Sequence, residues 1–351
     1  MKFLVVGTGL AGLSLAERIL ETGHELTVIG NLNKASSTDV ATGMYNPIVF
    51  RHLNKSWMVD ELTPVIHDFY SKLETKLNVS INESIRFYKK FPNEDYKKWW
   101  IKRQEDEEHK DYFGQITDNH GEILNAGLVD CKKLKATYEE YLLKKQILIN
   151  EDFDHSSLIQ KENGVVYKDE FYDKAILCEG PYAAENELWS WLPFNICKGE
   201  WITVEAEKEV CDFVLNAVTN VIPLGEKKFK LSSTFSWEPL DWKTTETART
   251  SLSNDFKSLF DSSFKVIDQQ AALRPTVADR RPYLGEHPEF KNLYIFNGLG
   301  SKGVMLAPYF SKHLLQHITE GKPLLSEVDI IRHKKRFINR NIDESSLDKN
   351  H

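Results

Sequence analysis

The sequence is short of cysteine, of long apolar runs and of positive charge, and each shortage excludes a class of protein. Four cysteines in 351 residues, Cys131, Cys178, Cys197 and Cys211, show no CxxC spacing, so neither a zinc-site signature nor a disulfide framework is present. They are expected to be reduced and mostly buried. No stretch approaches the roughly twenty apolar residues of a membrane span, and the run up to Val6 is too short, and too soon broken by glycine, for a secretory signal. The expected address is cytoplasmic. A formal net charge of −7 argues against bulk polyanion binding, while leaving room for a local basic groove. What remains, 41% hydrophobic and 28% charged residues without a repeat, is an ordinary globular composition. The length suits two interlocked domains better than one core.

The most informative stretch is MKFLVVGTGLAGLSLAERILETGHELTVIG. Phe3 to Val6 reads as a strand, Gly7 to Gly12 as a glycine turn, and Leu13 to Leu20 carries apolar residues at helical spacing. That order suits a dinucleotide: Gly7 permits a tight turn, Gly9 lets a diphosphate approach the backbone, and Gly12 allows close helix packing. The helix start at Leu10 and Ala11 then offers N–H groups and a partial positive charge. A second strand, Glu25 to Ile29, closes the unit. An acidic residue is expected to end that strand and hold ribose hydroxyls, about twenty residues after the turn, but the chain reads Ile29-Gly30-Asn31. Either Asn31 or Asn33 substitutes as a neutral partner, or the adenosine end is held more weakly.

Ala35 to Pro47 is rich in small and hydroxyl residues, as suits a loop lying against a flat ring system; a surface loop would read the same way. Residues 57 to 114 read as helical. Within them, Lys97 to Arg103 joins lysines to tryptophans, either a base-stacking surface or an amphipathic helix with its tryptophans inward. The second reading is preferred because Glu105 to Glu108 follows at once. A helix over 132–145, short strands near 147–149, 164–167 and 174–178, antiparallel strands over 198–204, 221–225 and 229–233, and a helix over 245–260 complete the middle. Then come Leu273-Arg274-Pro275, a strand over 293–296, and a second glycine cluster, Asn297-Gly298-Leu299-Gly300-Ser301-Lys302-Gly303, feeding a helix from Val304. The tail, 331–351, is charged and reads as a solvated end.

This ordered set of blocks resembles the D-amino-acid oxidase superfamily of FAD enzymes, in particular its glycine oxidase, sarcosine oxidase and D-amino-acid dehydrogenase branch. It is also similar to the C-terminal oxidase domain of the tRNA wobble-uridine enzyme MnmC. The resemblance implies an α/β fold in which a Rossmann-like FAD domain (1–55, 125–195, 268–330) interleaves with an α+β substrate domain (56–124, 196–267) built on an antiparallel sheet. Non-covalent FAD is implied, since no cysteine lies in the 298–303 turn. The implied cofactor contacts are Gly7, Gly9, Leu10, Ala11, Gly12, Asn31, Ser36, Ser37, Thr42, Gly43, Met44, Phe153, Gly180, Gly298, Gly300, Ser301, Lys302, Gly303, Val304 and Met305.

Family flavins take a hydride from an amine-bearing carbon. Arg274 matches the arginine that grips the substrate carboxylate in amino-acid oxidising relatives, a two-pronged contact that lysine cannot copy; a structural salt bridge is the alternative. Lys302 is a second candidate for catalysis, adding a cation where negative charge develops, and Ser301 a hydroxyl, unless both face solvent. Tyr45 and Phe235, with Met44, are candidates for pocket walls or for core packing. The tyrosine that helps hold the carboxylate in glycine oxidase-like members is replaced near Asn220. The expected partner is a small amine or amino acid, with oxygen or a quinone as electron acceptor. The rivals are an MnmC-like oxidase of a carboxymethylaminomethyl group on tRNA, for which Lys89, Lys90, Lys97, Lys98 and Lys102 speak, and a flavin-binding module without catalysis.

Overall fold

A computed structural model describes residues 1–83 and 85–347, with backbone alone from 341. In chain order the elements that matter are β1 (Lys2–Val6), α1 (Leu10–Glu21), β2 (Glu25–Ile29), α2 (Val59–Leu77), β3 (Phe87–Lys90), α3 (Glu94–Glu105), β4 (Phe113–Ile116), β5 (His120–Ile123) and α4 (Cys131–Lys144). They continue with β6 (Leu148–Ile149), β7 (Lys174–Leu177), β8 (Cys197–Ala206), β9 (Val214–Asn216), β10 (Asn220–Gly225) and β11 (Lys228–Ser232). The last are α5 (Glu246–Leu259), β12 (Phe264–Arg274), β13 (Tyr283–Glu286), β14 (Leu293–Asn297), α6 (Gly303–Glu320) and α7 (Lys334–Leu347). The chain divides into two compact units, Met1–Asp39 with Lys132–Ile196 and Arg274–His351, and Val40–Cys131 with Cys197–Leu273.

The first unit is built on a six-stranded sheet ordered β6-β2-β1-β7-β14-β13. Its first five strands run parallel and β13 returns antiparallel. Parallel strands covered on both faces read as near-continuous apolar runs, and Phe3, Leu4, Val5, Ile176, Ile295 and Phe296 are all shut off from solvent. The chain after β14 continues this packing. Phe337 is buried against Trp191 and His287, and Arg332 donates to Asp279 and to the carbonyls of Arg281 and Pro282 while standing 4.9 Å from the Tyr283 ring. The expectation of a solvated tail is therefore corrected for 331–340. Its basic residues are spaced so that Ile330 and Phe337 enter the core between them; residues 348–351 lie outside the described part.

The second unit is built on an eight-stranded sheet ordered β12-β8-β11-β10-β9-β3-β5-β4. The resolved pairings are antiparallel except for β9 beside β3. Helix α5 starts at Thr245, whose hydroxyl accepts from the Ala248 N–H at 3.2 Å, an N-cap that satisfies an otherwise orphaned donor. It lays Leu252 and Phe256 on Ile202, Val204, Leu215, Val221, Phe229 and Leu231. The reading of 57–114 as helical is corrected here: α2 and α3 are helices, but Phe87 to Lys90 pairs with Ile123 to His120 and with Val214 to Asn216. An alternation as short as Phe-Tyr-Lys-Lys fits either period, and sheet pairing decides it. On α3, Trp100 is fully buried, Lys98 pairs with Asp95 at 3.0 Å and Lys97 donates to the Asp118 carbonyl at 3.1 Å. Among the described residues no helix is long and apolar enough to cross a membrane.

Candidate functional site

In the first unit, β1 ends in Gly7, whose φ of +106° no side chain takes without strain and whose added Cβ would lie 2.4 Å from the Cys178 carbonyl oxygen. A Cβ on Gly12 would lie 1.9 Å from the Gly7 oxygen, so the first turn of α1 rests directly on the bend. Gly9 opens α1 in extended conformation, with no side-chain cap and no acidic residue in the first turn. The Leu10 N–H donates to Thr38 Oγ1 at 3.1 Å, which ties the Ser36-to-Asp39 turn to this helix start. In that turn Ser36 Oγ accepts from the Thr38 N–H at 3.2 Å, Ser37 begins a single helical turn, and Asp39 is held by the buried Lys135 at 3.1 Å.

The missing acidic residue has a local explanation. A Cβ on Gly30 would lie 2.7 Å from the Thr8 methyl, leaving no room for a side chain at the end of β2. A carboxylate arrives there from another strand: Asp152, just past β6, accepts from Asn31 Nδ2 at 3.0 Å across 121 residues of sequence. Lys34 is 3.9 Å from the same carboxylate and 4.2 Å from the Tyr182 ring. Asn33 donates its N–H to Asn31 Oδ1, so of the two asparagines Asn31 carries the polar contacts to its surroundings.

The second glycine cluster returns to the first. Asn297 Nδ2 donates to the Gly180 carbonyl at 2.9 Å and its Oδ1 accepts from the Gly298 N–H at 2.8 Å, joining the ends of β7 and β14. Gly180, Gly298 and Gly300 all have positive φ. Gly303 opens α6, and a Cβ there would lie 3.2 Å from Leu10 Cδ1, so two helix starts some 290 residues apart in sequence converge. Helix α6 also lacks a side-chain cap and an acidic first turn; Val304 and Met305 are buried in that turn and Ser301 is exposed. Lys302 stays accessible to solvent, yet its ammonium sits among protein atoms, and that burial, with Arg280 and Arg281 nearby, draws its pKa down. Arg274 ends β12, half-buried, two residues before Thr276, whose N–H donates to its carbonyl at 2.8 Å.

Phe153 stacks on Tyr167 at 4.6 Å and meets His155 edge-on at 5.0 Å, part of the first unit's core. His155 pairs with Glu179 at 2.7 Å, which raises its pKa. The remaining sequence candidates lie in the second unit. Thr42 is half-buried; Gly43 has φ +71° and presses on the Val129 carbonyl, where a Cβ would lie 1.7 Å away; Met44 pairs with Leu128. Tyr45 is buried, its ring over Gly127 and edge-on to His67. Phe235, expected as pocket wall or core, is 67% exposed and Trp237 54%, so core packing is excluded for Phe235. Thr38, Lys135 and Asp152 were not legible from spacing. Thr38 stood among several hydroxyl residues, and Asp152 reaches Asn31 only through the pairing of β6 with β2.

The donor set suits a dinucleotide: a glycine bend, a helix start with no cap from its own N-cap residue, and a carboxylate brought beside the end of the second strand by Asp152. The family described as FAD dependent oxidoreductase (DAO) matches residues 2–317. Among solved structures, L-proline dehydrogenase from P. horikoshii is similar at 14% identity and TM-score 0.75, over 93% of this chain and 95% of that one. Iminodiacetate oxidase from Chelativorans sp. BNC1 is similar at 17% identity and TM-score 0.74, over 95% and 98%. Glycine oxidase from Bacillus cereus is similar at 19% identity and TM-score 0.70, over 92% and 96%.

Proposed function

Because this chain belongs to the DAO family of FAD-dependent oxidoreductases, we propose that it oxidises the C–N bond of an amino acid or secondary amine that carries a carboxylate, using non-covalent FAD. The observation that carries this reading is the meeting of the two helix starts at Leu10 and Gly303, neither capped by the side chain of its own N-cap residue. Each offers N–H groups and positive dipole ends, one suited to a diphosphate and the other to charge developing on a ring edge. What FAD supplies when bound is a two-electron acceptor for the hydride on the nitrogen-bearing carbon.

The chain's own residues supply binding and orientation. Gly7, Gly9, Leu10, Ala11 and Gly12 form the diphosphate bend, the Ser36-to-Asp39 turn lies over it, and Asn31 with Asp152 takes the place of the single acidic residue for the ribose. Gly298, Gly300, Ser301, Lys302, Gly303, Val304 and Met305 form the second bend, where the lysine and its arginine neighbours favour negative charge. Arg274 presents a planar fork that holds a carboxylate in one orientation. The similar proteins are named for glycine, iminodiacetate and L-proline, all amines bearing a carboxylate, which supports the substrate class. The test is anaerobic addition of glycine, sarcosine, iminodiacetate and proline to the yellow protein. At least one is expected to bleach the flavin; binding without bleaching across the panel would favour the module without catalysis.

A further inference from the structure

The second unit's sheet has two faces of different chemistry. On one, Ile202, Leu231, Val221 and Leu215 stand opposite each other across β8, β11, β10 and β9 and pack beneath α5. The next row, on the other face, is polar. Strand pairing sets Trp201 opposite Ser232, Ser232 opposite Asn220, Asn220 opposite Asn216, Asn216 opposite Lys89 and Lys89 opposite Gly121. Residues directly opposite one another share a face. Lys89, Asn216 and Asn220 thus stand side by side on three adjacent strands, spanning about 10 Å at the usual strand spacing.

Lys89 is walled in by apolar groups. The Trp100 ring fills the space over Gly121, where a Cβ would lie 2.2 Å from it, and the Phe50 ring centre is 5.4 Å from the ammonium. Among the described residues no carboxylate pairs with Lys89, and burial draws its pKa down to about 8. The neighbouring amides are half-engaged: Asn216 Nδ2 donates to Asn220 Oδ1 at 2.6 Å, and Asn220 Nδ2 donates to the Ser232 carbonyl at 3.3 Å. Each amide nitrogen carries two N–H groups, so a second donor remains on each. A desolvated ammonium set against a ring is poorly compensated, since a cation–ring contact offsets only part of the cost of taking the charge out of water. An oxyanion beside it would supply both the missing charge and acceptors for the spare amide protons.

We propose that Lys89, Asn216 and Asn220 form an oxyanion subsite that takes a carboxylate or phosphate group. It goes beyond the proposed function, since the row and the rings around it belong to the second unit alone. The test is equilibrium calorimetry on the full flavin-bound chain with (methylthio)acetate, its neutral methyl ester and inorganic phosphate. None of these has a C–N bond to oxidise, so the outcome is independent of whether any amine bleaches the flavin. A carboxylate ligand makes (methylthio)acetate bind at least about tenfold tighter than its methyl ester; a phosphate ligand makes inorganic phosphate bind at least about tenfold tighter than chloride. Lys89→Met reduces the preference to less than about threefold, Lys89→Arg keeps most of it, and Asn216→Ala loses part. Should Lys89→Met fail to fold, Asn216→Ala and Asn220→Ala decide by the same ratio. Neither preference in the wild type, or one that survives these substitutions in folded protein, overturns the subsite.

Discussion

The two glycine bends of the first unit do similar work under different constraints. At the first bend the unyielding neighbours are backbone: a Cβ added to Gly12 would lie 1.9 Å from the Gly7 oxygen, and one added to Gly7 would lie 2.4 Å from the Cys178 oxygen. At the second, an added Cβ would first meet methyl groups that can yield at Gly300 and Gly303, those of Thr276 and Leu10 at 3.2 Å each, while at Gly298 it would meet a Val277 methyl at 3.1 Å and the Tyr283 backbone nitrogen at 3.2 Å. The first bend has no cation in its helix's opening turns, whereas Lys302 stands at the N-cap position of the second, with Arg280 and Arg281 close enough to shift its titration. The first is thus shaped by sterics and dipole alone, and the second by a looser frame to which charge has been added. Substitutions at the two bends should differ in kind as well as size.

The largest effect is expected from Gly12→Ala. Its methyl group would have to displace backbone in both the bend and α1, which places it with the severe core substitutions at roughly 4 kcal/mol or more. The variant should purify colourless or fail to fold; measured flavin content near one per chain, with a thermal midpoint close to wild type, would show that the bend is not rigid. Next is Arg274→Lys, in which one point charge replaces a planar fork. Losing one prong of a charge-assisted contact while the charge remains costs about 1.5–3 kcal/mol, so kcat/KM for a carboxylate-bearing amine should fall roughly tenfold or more, with flavin content retained. A loss below about threefold assigns Arg274 to structure alone.

How much of this was legible follows distance along the chain. The β1-α1-β2 unit was readable because its signals are contiguous: an apolar strand, a bend that must lack side chains, and a helix at regular spacing. The second cluster at Gly298 to Gly303 was readable for the same reason, but its meeting with Leu10 follows only from the order β1-β7-β14. Asp152 shows the limit most clearly. A motif expects its carboxylate at the end of β2, and here Thr8 fills the space a side chain at Gly30 would need, while the carboxylate comes from the end of β6. Phe235 shows a different limit: an aromatic residue signals burial by composition, whereas its loop leaves 67% of it exposed, which excludes core packing and not a place in a pocket wall. The polar row of Lys89, Asn216 and Asn220 has no spacing of its own, because it runs across strands.

A milder substitution sharpens the contrast between the bends. Gly300 has φ +56° and its added Cβ would press on a methyl of Thr276, so Gly300→Ala carries conformational strain of about 1 kcal/mol plus a small side-chain adjustment. It should keep its flavin with a thermal midpoint lowered by a few degrees at most. A collapse as complete as that of Gly12→Ala would erase the distinction drawn between yielding and unyielding neighbours.

The smallest effect isolates the charge at the second bend. If Lys302 favours negative charge on the bound flavin, Lys302→Met should lower the two-electron reduction potential by roughly 30 mV or less, about 1.4 kcal/mol at that limit, with little change in thermal midpoint because the lysine is open to solvent. The pH dependence gives the sign. Burial and the two arginines lower the lysine's pKa beneath its ordinary value, so the cation's contribution is present below that lowered pKa and is lost as pH rises through it. Arg280 and Arg281 remain charged throughout. Potentials of wild type and variant, measured by dye equilibration, should therefore differ most on the acid side of that titration and converge in alkali. A gap that stays constant with pH would mean that the substitution acts through packing, and that both bends rely on backbone dipoles alone.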